Sequence, residues 1–193
     1  MTGMGENEKI LLTFLELFPG ADTFTLAYRP EKMDPKFRDH RVTASFLQNL
    51  PFGSGRPSWY LPLQWGAMRS LDLTPYDLVI SLHSGRAKWV SPFVGAIHVC
   101  YFLNPLEGLW ESGSGLGMRL FGNYLRRCDL KSNKTVTHFL APSEEMREFI
   151  HSRYGRDADV ISPQQDPSRY FFKLQVYFRK LYGVKVNEEN LHI

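Results

Sequence analysis

The sequence predicts an α/β fold in which an open, mostly parallel sheet carries helices on both faces. Two nearly continuous apolar runs, "YDLVISLHS" (76–84) and "AIHVCYFL" (96–103), have the composition of strands that are buried on both faces of a parallel sheet. Patterns typical of strands and of helices also alternate along most of the chain. That alternation is the order expected when helices join successive parallel strands.

The predicted helices follow from apolar residues three or four positions apart and from residues that begin or end helices. The first pattern has apolar residues at 10, 11, 14, 15, 17 and 18, and Pro19–Gly20 ends it. A later helix begins at Ser143, which can cap it, and has Glu144 and Glu145 where the helix dipole favours acidic side chains. We predict helices at 6–18, 59–71, 118–134, 143–154 and 168–182.

The predicted strands are apolar or β-branched runs that are bounded by turn residues. Shorter runs such as "TFTLAY" and "ADVISP" accompany the two long ones. We predict strands at 23–28, 41–47, 76–84, 96–103, 136–143 and 158–163.

The composition suits one globular domain, alone or with an appendage, because 193 residues include 43% hydrophobic and 22% charged residues. The net charge of +3 is too small to indicate a nucleic-acid-binding protein. Cys100 and Cys128 are too few for a disulfide framework, so we expect both to be reduced and buried in a cytoplasmic protein. The basic residues at 119–156 are mixed with acidic ones, which favours a solvated face over peripheral contact with an anionic membrane.

The common catalytic motifs are not present in the sequence. The six histidines lack the short spacings of a metal site, so we expect no metal, and no serine lies in a nucleophile elbow. Trp59, Tyr60 and Trp65 are interpreted mainly as core residues, and a patch that faces a membrane or an acceptor is the alternative. These patterns therefore assign no catalytic residue.

Polar side chains lie at the ends of three predicted strands, at the edge where open α/β sheets bind ligands. These residues are Ser81, His83, Ser84, Arg86, Lys88, Asn104 and Ser143. Hydroxyls, an imidazole, an amide and two cations at one edge predict a cleft for a polar ligand, including a phosphorylated one. We favour this cleft over the alternative that the residues are ordinary caps and turns.

From about Thr2 to Phe171 the chain resembles the N-terminal half of a family 4 glycosyltransferase, a GT-B-fold enzyme that uses a sugar nucleotide. The similar stretches are "TGMGENEKILLTFLELFPGADTFTLAY", "FRDHRVTASFLQNLP", "LDLTPYDLVIS", "HVCYFLNP", "HFLAPS" and "YGRDADVISP". The resemblance implies a Rossmann-like domain at 1–163 that mainly holds the acceptor, followed by an aromatic, basic and helical tail at 164–193. It also implies that the C-terminal domain, which mainly holds the sugar nucleotide, is absent from the chain.

The resemblance further implies that the domain lacks its usual first strand, because "TGMG" (2–5) resembles the turn that follows this strand in the family. A parallel sheet without that strand has unpaired edges. We therefore expect an incomplete sheet, or a sheet that takes a substitute strand from the tail.

The family's motifs place the substrate-binding residues at Gly5, His83, Ser84, Lys88, Asn104, Trp110 and Ser143. Of these, Lys88, Trp110 and Ser143 match the family residue. The turn departs from the family at Glu6, which replaces a glycine, and His83 lies one place before the family's histidine. A second family histidine, near the transferred sugar, is Leu103 here, and leucine can neither form hydrogen bonds nor change charge.

We therefore expect the acceptor-side half of a sugar-nucleotide-dependent glycosyltransferase that transfers no sugar as an isolated chain. It would need no cofactor; its ligands would be a sugar nucleotide, as co-substrate, and a glycan or lipid-linked acceptor. The first alternative is a non-catalytic partner subunit, completed by a separate donor-domain chain that docks on the aromatic tail. The second is a gene remnant without function. The expected location is the cytoplasm, with peripheral contact at the cytoplasmic face of a membrane as the alternative.

Overall fold

The structure is a computed structural model that describes residues 6–55, 57–84, 86–106, 108–110, 116–163 and 167–182. Its helices and strands are α1 (Glu6–Leu17), β1 (Thr23–Thr25), β2 (Val42–Ala44), α2 (Gln64–Arg69), β3 (Leu78–Ser84), β4 (Ile97–Asn104), α3 (Leu116–Ser132), β5 (His138–Ala141), α4 (Glu144–Tyr154), β6 (Ala158–Val160) and α5 (Pro167–Tyr182). Short 3-10 turns connect several of them. The α/β class predicted from the sequence is confirmed.

Every strand pair in the described part of the chain is parallel. The larger sheet has the order β3-β4-β5-β6, and β1 pairs with β2 in a second sheet. Within the larger sheet, β4 lies between two neighbours, and its residues 98–103 are all buried. Burial on both faces explains why this strand has a continuous apolar sequence instead of an alternating one.

The described strands form two separate sheets, and β1 is not paired with β3. Among the described strands β3 pairs only with β4, and its apolar residues Leu78, Val79 and Ile80 are half-buried. Residues 6–10, which follow the family-like turn, are helical. The incomplete sheet expected from the sequence stays a prediction. Residues 1–5 and 183–193 lie outside the described residues, so the missing first strand and its substitute from the tail stay predictions.

Helices cover both faces of the larger sheet. On one face, Tyr101 packs against Phe14 of α1, with ring centroids 5.9 Å apart, and donates a hydrogen bond of 2.6 Å to the Ile161 carbonyl. Phe178 of α5 packs edge-on against Phe14 at 6.1 Å, so α5 belongs to the core of the domain. On the opposite face, Phe102 stacks on Phe149 of α4 at 5.9 Å. The boundary at residue 163 stays a prediction.

The helix predicted at 59–71 is wrong in its first half. Residues Pro57–Leu63 form two 3-10 turns that meet at Tyr60, whose backbone is not helical, and α2 begins only at Gln64. The reason is Pro62, because proline has no N–H to donate and its ring clashes with the preceding turn of an α-helix.

Several expected core residues are buried. Cys100 and Cys128 are free and buried, and Trp65 packs against the buried Trp89 with ring centroids 5.8 Å apart. The core interpretation is wrong for Trp59, which keeps 59% of its surface exposed. Within the described residues, no helix has the length and apolar character that a membrane crossing requires.

Candidate functional site

The carboxyl ends of β3 and β4 lie side by side, as parallel pairing requires. Asn104, the exposed last residue of β4, is the backbone partner of Ser84 across an irregularity in the register. The sheet therefore brings two of the predicted strand-end segments together. Gly5 and the side chains of His83 and Ser84 lie outside the described residues, and their predicted roles stay predictions.

Lys88 does not reach the solvent at this edge. Its side chain is fully buried, and Nζ lies 3.1 Å from Asp129 Oδ1. The ammonium also donates to Asn133 Oδ1 at 2.5 Å and to the Asp129 carbonyl at 3.0 Å. Nζ lies 3.8 Å from the centre of the Tyr154 ring, so a cation–π contact completes its surroundings. The Lys88 ammonium, which the sequence analysis proposed for a phosphorylated ligand, is therefore paired with Asp129 inside the protein.

Asp129 accepts hydrogen bonds from three aromatic side chains in addition to its ion pair. The Trp89 and Trp110 indole N–H groups donate to its two carboxylate oxygens at 3.2 and 3.3 Å, and the Tyr154 hydroxyl donates at 2.7 Å. These donors replace the hydrogen bonds that water would make to an exposed carboxylate. The cluster of Lys88, Asp129 and these three aromatic residues is called the buried ion-pair cluster below.

Burial and charge shift two pKa values in the buried ion-pair cluster. Burial lowers the pKa of Lys88 below its ordinary value, and the Asp129 carboxylate opposes that change. Burial also raises the pKa of Tyr154, and the nearby Asp129 charge raises it further, so the hydroxyl remains a hydrogen-bond donor. The raised pKa of Tyr154 matches a structural cluster in which the phenol stays neutral beside the ion pair.

Trp110 connects the buried ion-pair cluster with a groove at the surface. The half-buried indole lies beside Arg153, whose guanidinium carbon is 5.8 Å from the ring centre. A groove of about 580 Å³ runs between the residues that follow β4 and the side of α4. It is lined by Pro105, Leu106, Trp110, Glu145, Met146, Glu148, Phe149, Ser152 and Arg153. An aromatic wall with charged groups beside it is a suitable surface for the apolar face and the hydroxyls of a sugar ring.

Ser143 caps α4, as predicted from its position. Its backbone is extended, and its Oγ accepts a hydrogen bond of 3.3 Å from the Met146 N–H. The side chain is exposed. Gly155 ends the same helix in the left-handed conformation, with φ 62°. Ser143 therefore has a local structural role, and its predicted role in binding stays a prediction.

Leu103 is a core residue. Only 5% of its surface is exposed, and it packs with the residues that α1 and α5 place over the sheet. The groove wall at Trp110 lies beyond the end of β4. The described residues also contain no group of three His, Cys, Asp or Glu side chains that could hold a metal ion.

The sequence reasoning missed Asp129 and Tyr154, which hold Lys88 and Trp110 in place. A signal for Asp129 exists, because it is the one acidic residue between 116 and 134, a segment rich in Arg and Lys. Its position four residues after Leu125 places it on the buried side of α3. An acidic residue on that side of a helix needs a buried cation as its partner.

The comparisons with known proteins give one match. A family model described as Glycosyltransferase Family 4 matches residues 21–169. No significant match was found among curated proteins or among solved structures.

Proposed function

Because the chain belongs to glycosyltransferase family 4, we propose that it supplies the acceptor side of glycosyl transfer from a sugar nucleotide to a glycan or lipid-linked acceptor. The observation that carries this proposal is the groove beside Trp110, at the carboxyl end of β4. Parallel α/β sheets bind ligands at this edge. Trp110 is fixed by its bond to Asp129, so the wall of the groove is already formed without a ligand.

We also propose that these 193 residues alone do not transfer a sugar. Two features of the site support this. Leu103 stands where the family resemblance calls for a histidine, and Lys88, the matching cation, is paired with Asp129 out of contact with solvent. Neither residue can donate a proton to a leaving group in the groove or neutralise a phosphate there.

Acceptor binding is tested by titrating the protein with short glycans while the chemical shifts of the tryptophan indoles are followed by NMR. Saturable shifts of the Trp110 signal are expected, and Trp110→Ala should weaken binding by at least about tenfold because stacking area is lost. Trp59→Ala is the matched control, since Trp59 is exposed and does not line the groove. Equal affinity of the Trp110→Ala protein would contradict the proposal.

Transfer is tested by incubating the isolated chain with radiolabelled sugar nucleotides and the glycans that bind. No transfer above that of the Trp110→Ala protein is expected. Turnover at an ordinary enzymatic rate would overturn the proposal that the chain is inactive alone, and would leave acceptor binding in place.

The second candidate is a non-catalytic subunit that a separate donor-domain chain completes. The observation in its favour is an exposed pair on α5, Phe172 and Val176, with 57% and 47% of their surfaces exposed. The opposite side of α5 is packed on α1 and the sheet, so only this outer side is open to a partner. Purification of the tagged chain from its source separates the candidates. A stoichiometric second chain of similar size that Phe172→Asp releases supports the subunit, and a lone monomer supports the first proposal.

A further inference from the structure

The outward side of α3 combines large apolar side chains with cations. Leu120, Tyr124 and Leu130 keep 68%, 43% and 44% of their surfaces exposed. The opposite side of the helix, including Leu125 and Asp129, is buried against the domain. Exposed leucines on a well-packed helix are surplus to the core, and a contiguous set of them marks an interaction surface.

The same side of α3 carries positive charge without acidic residues. Arg119, Arg127 and Lys131 are exposed along the helix, and Lys134 follows it. Within 119–134 the one acidic residue is Asp129, which is buried and paired with Lys88. Although the net charge of the whole chain is small, the outward side of α3 is therefore locally cationic.

Exposed aromatic residues also lie on and beside a turn that packs against α3. The turn Pro57–Leu63 packs against α3, and in it Trp59 and Leu63 keep 59% and 45% of their surfaces exposed. Phe52, which is 70% exposed, lies beside Trp59 with ring centroids 5.8 Å apart. We name these residues together with the outward side of α3 the apolar-basic surface.

We propose that the apolar-basic surface docks on an anionic lipid bilayer, with α3 lying along the headgroup region. Apolar side chains interleaved with Arg and Lys are the composition that enters the boundary between headgroups and acyl chains, where tryptophan is also favoured. A nucleic acid would use the cations but would gain nothing from Leu120 or Leu130. The inference does not depend on the proposed function, because it rests on a different surface.

The fold supplies an internal control on α5. Its exposed residues Phe172, Val176 and Arg179 also combine apolar groups with charge. However, α5 covers the face of the sheet that carries Tyr101, whereas α3 packs with Val79 on the other face. One flat bilayer cannot contact both faces, so exchanges on α5 should leave binding unchanged if α3 is the docking helix.

The experiment is co-sedimentation of the full chain with vesicles of phosphatidylcholine, alone or mixed with phosphatidylglycerol. The three variants are Leu120→Ser with Tyr124→Ser, Arg127→Glu with Lys131→Glu, and the control Phe172→Ser with Val176→Ser. All exchanged residues are at least partly exposed, and circular dichroism checks that each variant is folded. Wild type and control should bind only the mixed vesicles. The apolar and charge variants should each bind at least about tenfold more weakly, since each basic residue near an anionic surface strengthens partition roughly fivefold.

A second measurement compares the wild-type protein with a Trp59→Phe variant, an exchange of aromatic residues at an exposed position. Brominated acyl chains should quench part of the tryptophan fluorescence, and Trp59→Phe should reduce that quenching, because Trp59 is exposed whereas Trp65 and Trp110 are half-buried and Trp89 is fully buried. The proposal is overturned by equal binding to both vesicle types or by no binding. It is also overturned if only the α5 variant loses binding. Loss in the charge variant alone, with the apolar variant bound like wild type, would assign the surface to a polyanion such as a nucleic acid.

Discussion

Lys88 Nζ lies 3.1 Å from Asp129 Oδ1, with both side chains almost completely excluded from solvent. The pair joins the segment after β3 to α3, and the Tyr154 hydroxyl adds α4 through the same carboxylate. Three elements of the domain are therefore joined by one buried charge pair. This arrangement positions Trp110, which borders the groove.

Replacing one residue of the Lys88–Asp129 pair should lower the free energy of unfolding. Lys88→Met leaves the Asp129 carboxylate without its cation, and Asp129→Asn leaves a buried ammonium, so each should lower the free energy of unfolding by about 3–5 kcal/mol. The double variant should lose at least about 2 kcal/mol less than the sum, because it contains no uncompensated charge. Urea denaturation of the four proteins measures this.

The exposed pair Arg147–Glu144, 2.8 Å apart, provides the control. Arg147→Ala should change the free energy of unfolding by less than about 1 kcal/mol, because a solvated ion pair contributes little. Strictly additive losses for Lys88 and Asp129 would contradict the coupling.

A second prediction concerns His98 and acid stability. Burial lowers the pKa of this imidazole to about 4, although its Nδ1 lies 3.2 Å from the Thr135 carbonyl and its Nε2 3.0 Å from Ser81 Oγ. The unfolded chain, with an ordinary pKa of about 6.5, binds the proton first as the pH falls. Stability should therefore be complete above about pH 6.5 and fall by up to about 3 kcal/mol towards pH 4.

The measurement is urea denaturation at several pH values for wild type and His98→Gln. The variant should be less stable near neutral pH but should lose less stability on acidification. His151→Gln, an exchange on the exposed side of α4, is the control, and its free energy of unfolding should change with pH as that of wild type does. If the free energy of unfolding of His98→Gln fell with pH as steeply as that of wild type, groups other than His98 would cause the acid sensitivity.

The sequence predicted the strands better than the contacts of the site residues, because strands follow from local patterns whereas those contacts join residues far apart in the chain. The runs around Val79 and Val99 could be assigned as buried parallel strands because burial on both faces requires continuous apolar residues. The orientation of Lys88 could not be assigned, since it depends on Asp129, which is 41 residues away and contributed by another element. Trp59 was misjudged because an aromatic residue on a short 3-10 turn has no helical face that requires burial.

A third prediction separates the structural role of Ser143 from a role in binding. Ser143→Ala removes the Oγ that accepts from Met146 N, so it should cost about 1 kcal/mol, whereas Ser143→Asp should retain the cap. Thermal denaturation measures the cost. Ser152→Ala, within the same helix, is the control and should change stability by less than about 0.5 kcal/mol.

The glycan titration that tests the groove also applies to Ser143. If this residue only caps α4, Ser143→Asp should bind glycans like wild type, because the helix start is preserved. A loss of affinity in Ser143→Asp without a loss of stability would assign the hydroxyl to the ligand.

The last prediction concerns Leu103, where a histidine would restore the family pattern. Leu103→His should lower the free energy of unfolding by about 2–5 kcal/mol, because the apolar core over α1 and α5 would receive a polar ring in place of packed methyl groups. Leu103→Met keeps the volume and the apolar character, and should cost less than about 1.5 kcal/mol. Urea denaturation compares the two. The Leu103→His protein should still transfer no sugar from a sugar nucleotide, since the new imidazole would lie in the core and not at Trp110. Measurable transfer by this variant, with stability near wild type, would contradict both the core assignment and the proposed inactivity.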